Sequence, residues 1–246
     1  MHNSSFLPRQ AATIVLFAAL VSVPLRLLAQ ERPVTVQVKI QRPAAAKGEK
    51  TADSSGVAVW LVPSDRTALP VSEPGQRPRV LQKNKAFHPH LTVVRVGSVV
   101  DFPNRDPFFH NVFSEFDGKR FDLGLYEAGA TNSVRFDHPG VSFLFCNIHP
   151  EMSAVVVAVQ TPYYALSDKN GVVSIPAVPD GSYELHVWYE RSVPEALKAL
   201  TRSVHVTTDS RDLGTILVAQ DPGFSTAHKN KYGQDYAPPP SQSYQH

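Results

Sequence analysis

Phe143-Leu144-Phe145-Cys146-Asn147-Ile148-His149-Pro150-Glu151-Met152 holds the only cysteine of the 246-residue chain, a histidine three positions later and a methionine three after that. The alternating run Val141 to Cys146 leads in as a strand, and Ala154 to Val159 leads out as another. The spacing therefore predicts a tight loop of soft ligands between two core strands. Thiolate, imidazole and thioether suit copper, Cu(I) above all, far better than magnesium or calcium. A trigonal site needs a second imidazole from elsewhere, and His110-Asn111-Val112 offers one. The competing reading is a buried structural thiol, since free cysteine is among the most buried residue types; the neighbouring histidine and methionine turn the choice towards a ligand.

Outward from that loop, residues 1–29 read as a secretory signal. Arg9 stands in the n-region, an apolar stretch runs from Ala11 to Val23, and Ala29 precedes Gln30-Glu31. Leu27 is bulkier than the cleavage rule prefers. An uncleaved anchor is the alternative, although the stretch falls short of the ~20 residues that cross a bilayer. Either way the bulk of the chain is expected to be exported, periplasmic or secreted, with no membrane span after signal removal. Losing the signal takes Arg9 and Arg26 and no acid from 24 basic and 22 acidic residues, leaving equal numbers. A neutral chain is a poor nucleic-acid binder, because that binding depends on neutralising phosphates. A single cysteine closes no internal disulfide.

The high proline count, the scattered Val and Thr and the lack of long helical periodicity argue for an all-β fold. Residues 30–62 carry two alternating strands, Val34 to Ile40 and Gly56 to Val62; 63–78 is a proline-rich linker or long loop. Residues 79–160 read as a sandwich of short strands with regular turns. In 161–219, the turn at Asp168-Lys169-Asn170-Gly171 and the Pro179-Asp180-Gly181-Ser182-Tyr183 stretch each precede an alternating strand, which is hairpin chemistry. Ser192 to Leu200 reads as a short helix or a loop. Residues 220–246, rich in Pro, Gln, Ser, Tyr and Lys, cannot bury enough apolar surface to fold alone and read as a disordered tail, with a partner-docking motif as the alternative.

The block 79–160 resembles a cupredoxin, the type 1 blue-copper fold of plastocyanin and amicyanin. The resemblance lies in Ala86-Phe87-His88-Pro89, Val96 to Phe102, His110-Asn111-Val112, Pro139-Gly140 and Cys146 to Met152, whose Cys-x2-His-x2-Met spacing is the short amicyanin-like form. Residues 161–219 resemble the carboxypeptidase regulatory-like, or transthyretin-like, β-sandwich. The two early strands resemble its opening strands, so they are expected to pair with 161–219. The whole resembles exported methylamine-utilisation or plastocyanin-like proteins. The expected fold is thus a Greek-key cupredoxin sandwich plus a second, small Ig- or transthyretin-like one.

The cupredoxin resemblance implies one copper, cycling between Cu(I) and Cu(II), with His110, Cys146 and His149 in the trigonal plane and Met152 as the weak axial ligand. Asn111 is the candidate to tie the His110 loop to the cysteine loop, with a plain turn residue as the alternative. Phe109, Phe113, Phe143 and Phe145 are expected to pack the core below the metal. His138, in the turn at the far end of the cysteine strand, is not a candidate; His88 and His90 read as surface residues, with a second metal site as the lesser alternative. His186 and His205 read as strand-face residues.

These expectations describe an electron carrier rather than an enzyme, passing single electrons to a redox protein such as a c-type cytochrome through the ring edge of His149. No nucleophile elbow, phosphate loop or zinc-protease pattern is present in the sequence. The alternatives are a copper-delivery protein without redox turnover and a cell-envelope binding module.

Overall fold

The computed structural model describes residues 32–43, 53–65, 77–115 and 118–236. The signal reading of 1–29 and most of the linker reading, at 66–76, lie outside them. Two early strands, β1 (Val34–Gln41) and β2 (Ala58–Pro63), precede a middle block. That block contains β3 (Leu81–Lys83), β4 (Ala86–His88), β5 (Leu91–Arg95), β6 (Val99–Pro103), β7 (His110–Ser114), β8 (Phe121–Tyr126), β9 (Thr131–Arg135), β10 (Gly140–Phe145) and β11 (Ser153–Val159). Then come β12 (Tyr164–Leu166), β13 (Val172–Ile175), β14 (Gly181–Trp188), the helix α1 (Pro194–Ala199), β15 (Arg202–Val206) and β16 (Asp212–Ala219). The described chain is all-β but for this one short helix, and no described helix is long and apolar enough to cross a membrane.

The middle block forms a five-stranded sheet in the order β5-β11-β10-β7-β8, with the pairs β6-β9 and β3-β4 beside it. Val80, Phe87, Val100, Phe102, Val112, Phe136 and Leu144 fill its core together with Cys146 and Met152. A second core, around Val36, Val59, Leu61, Ile175, Leu185 and Ile216, lies between the sheets β13-β1-β16 and β12-β2-β14-β15. Here β1 runs antiparallel to β13 and parallel to β16, while β2 is antiparallel to both β12 and β14. Both early strands thus share sheets with the C-terminal ones, and residues 77–159 are inserted into the second sandwich.

β11 explains why the run Ala154 to Val159 is apolar without interruption. Successive residues of a strand face opposite sides. Ala154, Val156 and Ala158 enter the first core, whereas Val155, Val157 and Val159 pack against Trp60, Phe143, Tyr164 and Trp188 of a third cluster. A strand buried on both faces has no polar side to show.

Two local features bear on the site. β3 and β4 are joined by a two-residue turn, Asn84-Lys85, with φ +55° at both positions, the twist that tight hairpins favour. The second feature corrects the sequence reading of the tail. Residues 220–236 do not run free. The ring of His228 stacks on Phe145 with centroids 4.1 Å apart, and Lys231 Nζ pairs with Asp122 at 2.7 Å. The composition argument holds only for folding alone; this segment draws its order from an apolar strand face already in place. Residues 237–246 lie outside the described ones.

Candidate metal centre

His110 opens β7, Cys146 follows the last residue of β10, and His149 and Met152 sit on the loop that returns to β11. The loop is closed at its neck: the Cys146 N–H donates to the Met152 carbonyl at 3.2 Å and the Met152 N–H to the His149 carbonyl at 3.1 Å. Strand alternation sends Cys146 inward with Leu144, and His110 inward with Val112. The thiol and the His110 ring are fully buried, as is Met152, while His149 is half-buried.

Three donor atoms converge. His110 Nδ1 stands 3.1 Å from His149 Nδ1, Cys146 Sγ is 3.5 Å from His149 Nδ1, and Sγ is 3.9 Å from His110 Nδ1. Among the described residues these form the one group of three His, Cys, Asp or Glu side chains so gathered. The circumcentre of a triangle with those edges lies about 2 Å from each corner, against about 2.0–2.1 Å for imidazole and 2.3 Å for thiolate bonds to an ion such as zinc. The cluster is therefore closed to the size of one first-row ion. Two imidazoles and a thiolate, with Met152 in the same buried cluster, fit a type 1 copper site.

The electrostatics suit metal ligation. Burial, with the neighbouring His110 ring and Lys85 adding to it, holds His149 below the usual histidine range, so it is neutral at neutral pH and free to act as a ligand. The other ring nitrogen of His110, Nε2, lies 2.8 Å from Oδ2 of Asp106. That carboxylate also accepts the N–H groups of Asn84 at 2.7 Å and Lys85 at 2.9 Å. Burial pushes Asp106 up, but the Lys85, His110 and Asn84 hydrogen bonds outweigh it and hold the carboxyl below its ordinary range. Asn104 organises this turn, accepting the Asp106 N–H and donating to the Phe108 carbonyl at 2.8 Å.

Two readings change. The Asn111 amide does not reach the cysteine loop: its Nδ2 donates to Asp122 Oδ1 at 2.7 Å and to the Gly124 carbonyl at 2.9 Å, tying β7 to β8. With His110 facing in, the next residue must face the other way. The four phenylalanines expected beneath the metal lie elsewhere for the same reason. Phe143 meets Trp188, Phe113 and Phe145 lie against each other on the outer face, and Phe109 is 55% exposed. Phe102, Phe136 and Tyr126 fill the inner side instead. The reading of His88 and His90 as surface residues holds: both are exposed, and His90 binds Glu190 and the Ser153 carbonyl.

Two contributors lie outside the sequence expectations. One is Asp106, an acid four residues before the upstream histidine, which is a visible spacing. The tail is the other. Tyr236 donates its hydroxyl to the Cys146 carbonyl at 2.6 Å, and the Lys231 N–H donates to Asn147 Oδ1 at 3.0 Å. No spacing in the sequence announces either contact.

No protein family matches the chain by sequence, and no curated protein matches it. Among solved structures it is similar to a copper-containing nitrite reductase from Thermus scotoductus SA-01, with 23% identity and a TM-score of 0.33 over 38% of this chain and 26% of that one. It is also similar to a purple cupredoxin from Nitrosopumilus maritimus, with 22% identity and a TM-score of 0.30 over 33% of this chain and 99% of that one. A Cu(I) amicyanin variant shows 19% identity and a TM-score of 0.33 over 44% of this chain and all of that one. The chain spans about a quarter of the nitrite reductase. Likenesses this slight decide nothing about the site.

Proposed function

We propose that the protein is an exported type 1 copper protein that carries single electrons between redox partners. One observation carries the reading: the buried Cys146 Sγ has two imidazole Nδ1 atoms within 3.9 Å, on a loop closed by its own backbone. Copper bound there supplies a one-electron couple, and a His2Cys plane with a distant thioether serves both oxidation states. The chain's part is to hold the ligands in place, keep water from the sulfur and leave an exit. Cys146 and Met152 are sealed, and the half-buried His149 ring lies 5.7 Å from the ring of Phe108. Phe108 is 37% and Ile148 43% exposed, so apolar side chains flank the imidazole where a partner such as a c-type cytochrome docks.

The test is to load the purified chain with Cu(II), record absorption and EPR spectra, and follow a redox titration. The expected result is an intense thiolate-to-copper visible band that bleaches and returns with one electron. A colourless Cu(II) complex would leave a delivery protein. Turnover of nitrite by the loaded chain would replace the carrier with an enzyme.

A further inference from the structure

Asp106 is 4% exposed, and its carboxylate has three donors around it: the His110 ring at 2.8 Å and the backbone N–H groups of Asn84 and Lys85. An ionised carboxylate accepts and never donates. The proton of neutral His110 is therefore on Nε2, and the lone pair is on Nδ1, the atom that faces His149 and the thiol. The Asn84-Lys85 turn needs only its two N–H groups satisfied. The third hydrogen bond, aimed at a ring whose other nitrogen faces the sulfur, serves a different purpose.

We propose that Asp106 is the positioning residue of this centre, locking His110 in the Nε2–H tautomer and favouring Cu(II) over Cu(I), so that it lowers the reduction potential. The inference rests on the copper reading above. A carboxylate on the far nitrogen of a ligating histidine fixes its tautomer and raises its basicity, and such partners typically contribute 10–100-fold in metal affinity. The more basic imidazole favours the more highly charged ion. A negative charge held in a buried, poorly screened site acts in the same direction. The charge is kept in place by the hairpin: Lys85 sits at φ +55°, where a non-glycine residue is uncommon, and charge-assisted bonds to the carboxylate offset that cost.

The experiment compares copper-loaded wild type, Asp106→Asn and Asp137→Asn. Asp106→Asn removes the charge and keeps an acceptor; Asp137→Asn removes a surface acid that pairs with Lys119, away from the cluster. The proposal expects Asp106→Asn to keep the visible band and shift the midpoint upward, about 59 mV for each tenfold loss of Cu(II) over Cu(I) preference. Asp137→Asn should leave it in place. Nitrogen NMR of the copper-free wild type should show His110 as the Nε2–H tautomer, a readout that stands even where Asp106→Asn fails to fold. A coloured wild type whose midpoint is unmoved or lowered in Asp106→Asn overturns this proposal alone, as does an Nδ1–H tautomer. A wild type that takes up no copper overturns the reading beneath it.

Discussion

The Nδ1 atoms of His110 and His149 face each other across 3.1 Å, with the Cys146 sulfur completing the triangle. Two lone pairs at that distance repel, so one nitrogen must carry a proton in the metal-free chain. Asp106 holds the His110 proton on Nε2. The Nδ1 proton must then be on His149, which donates it towards His110 or the sulfur.

Metal uptake is accordingly expected to change His149 and not His110. Copper held at Nδ1 would take the place of that proton, and the neutral ring of the half-buried His149 would then carry its proton on Nε2. Nitrogen NMR of the copper-free and Cu(I) forms should show a tautomer switch at residue 149 alone. A switch at both rings, or at neither, would contradict this assignment.

The axial position gives a second expectation. Met152 is fully buried with Cys146 in one cluster, and its backbone closes the loop through both N–H and C=O. Met152→Gln keeps the backbone contacts and exchanges a soft thioether for a harder oxygen, which favours Cu(II). The midpoint should fall, by about 59 mV per tenfold gain in Cu(II) preference. An unchanged potential in an intact blue protein means the thioether does not meet the metal.

The tail makes a third. Burial, with the charge at Cys146 adding to it, pushes the Tyr236 hydroxyl up to about 12, so it remains a donor to the Cys146 carbonyl across the ordinary pH range. Tyr236→Phe removes that bond and the 3.3 Å contact of the hydroxyl with His228 Nδ1, and leaves every candidate ligand in place. Urea unfolding should show a loss of about 0.5–1.5 kcal/mol for each intramolecular hydrogen bond removed. The visible band should not move. Equal stability of variant and wild type would mean the segment does not dock here.

What the sequence disclosed follows from where the signal is local. Cys146, His149 and Met152 announce themselves by spacing on one loop, and β10 and β11 by alternation and apolar run. Parity is equally local, and it runs against the expected core placement of the phenylalanines: once Cys146 faces in, Phe143 and Phe145 must face out. The Asn111 contact to Asp122 follows from the same rule. The pairing of β1 with β13 and β16 spans more than 130 residues, and it was legible only because strand pattern and turns resembled a known module. The contacts of Tyr236 and Lys231 depend on tertiary placement and leave no periodic trace.

The last expectation concerns pH and the seam between the two sandwiches. His90, between β4 and β5, places Nε2 2.7 Å from Oε2 of Glu190, just past β14, and its Nδ1 3.1 Å from the Ser153 carbonyl. The Glu190 hydrogen bond raises the His90 pKa against the opposing effects of burial and Arg191. A folded value above the unfolded one, about 6.5, means the contribution is complete below that pH and is lost as pH rises through the folded value. The His90 side chain is 47% exposed, so solvent screening limits the pair to on the order of 0.2–1 kcal/mol. The melting temperature of wild type minus that of Glu190→Gln should be largest near about pH 5 and decline towards about pH 8, the interval in which histidine titrates. A difference constant across that interval would show that the ion pair does not form, leaving the apolar contacts of Val155, Val157 and Val159 with Trp60 and Trp188 to join the sandwiches without it.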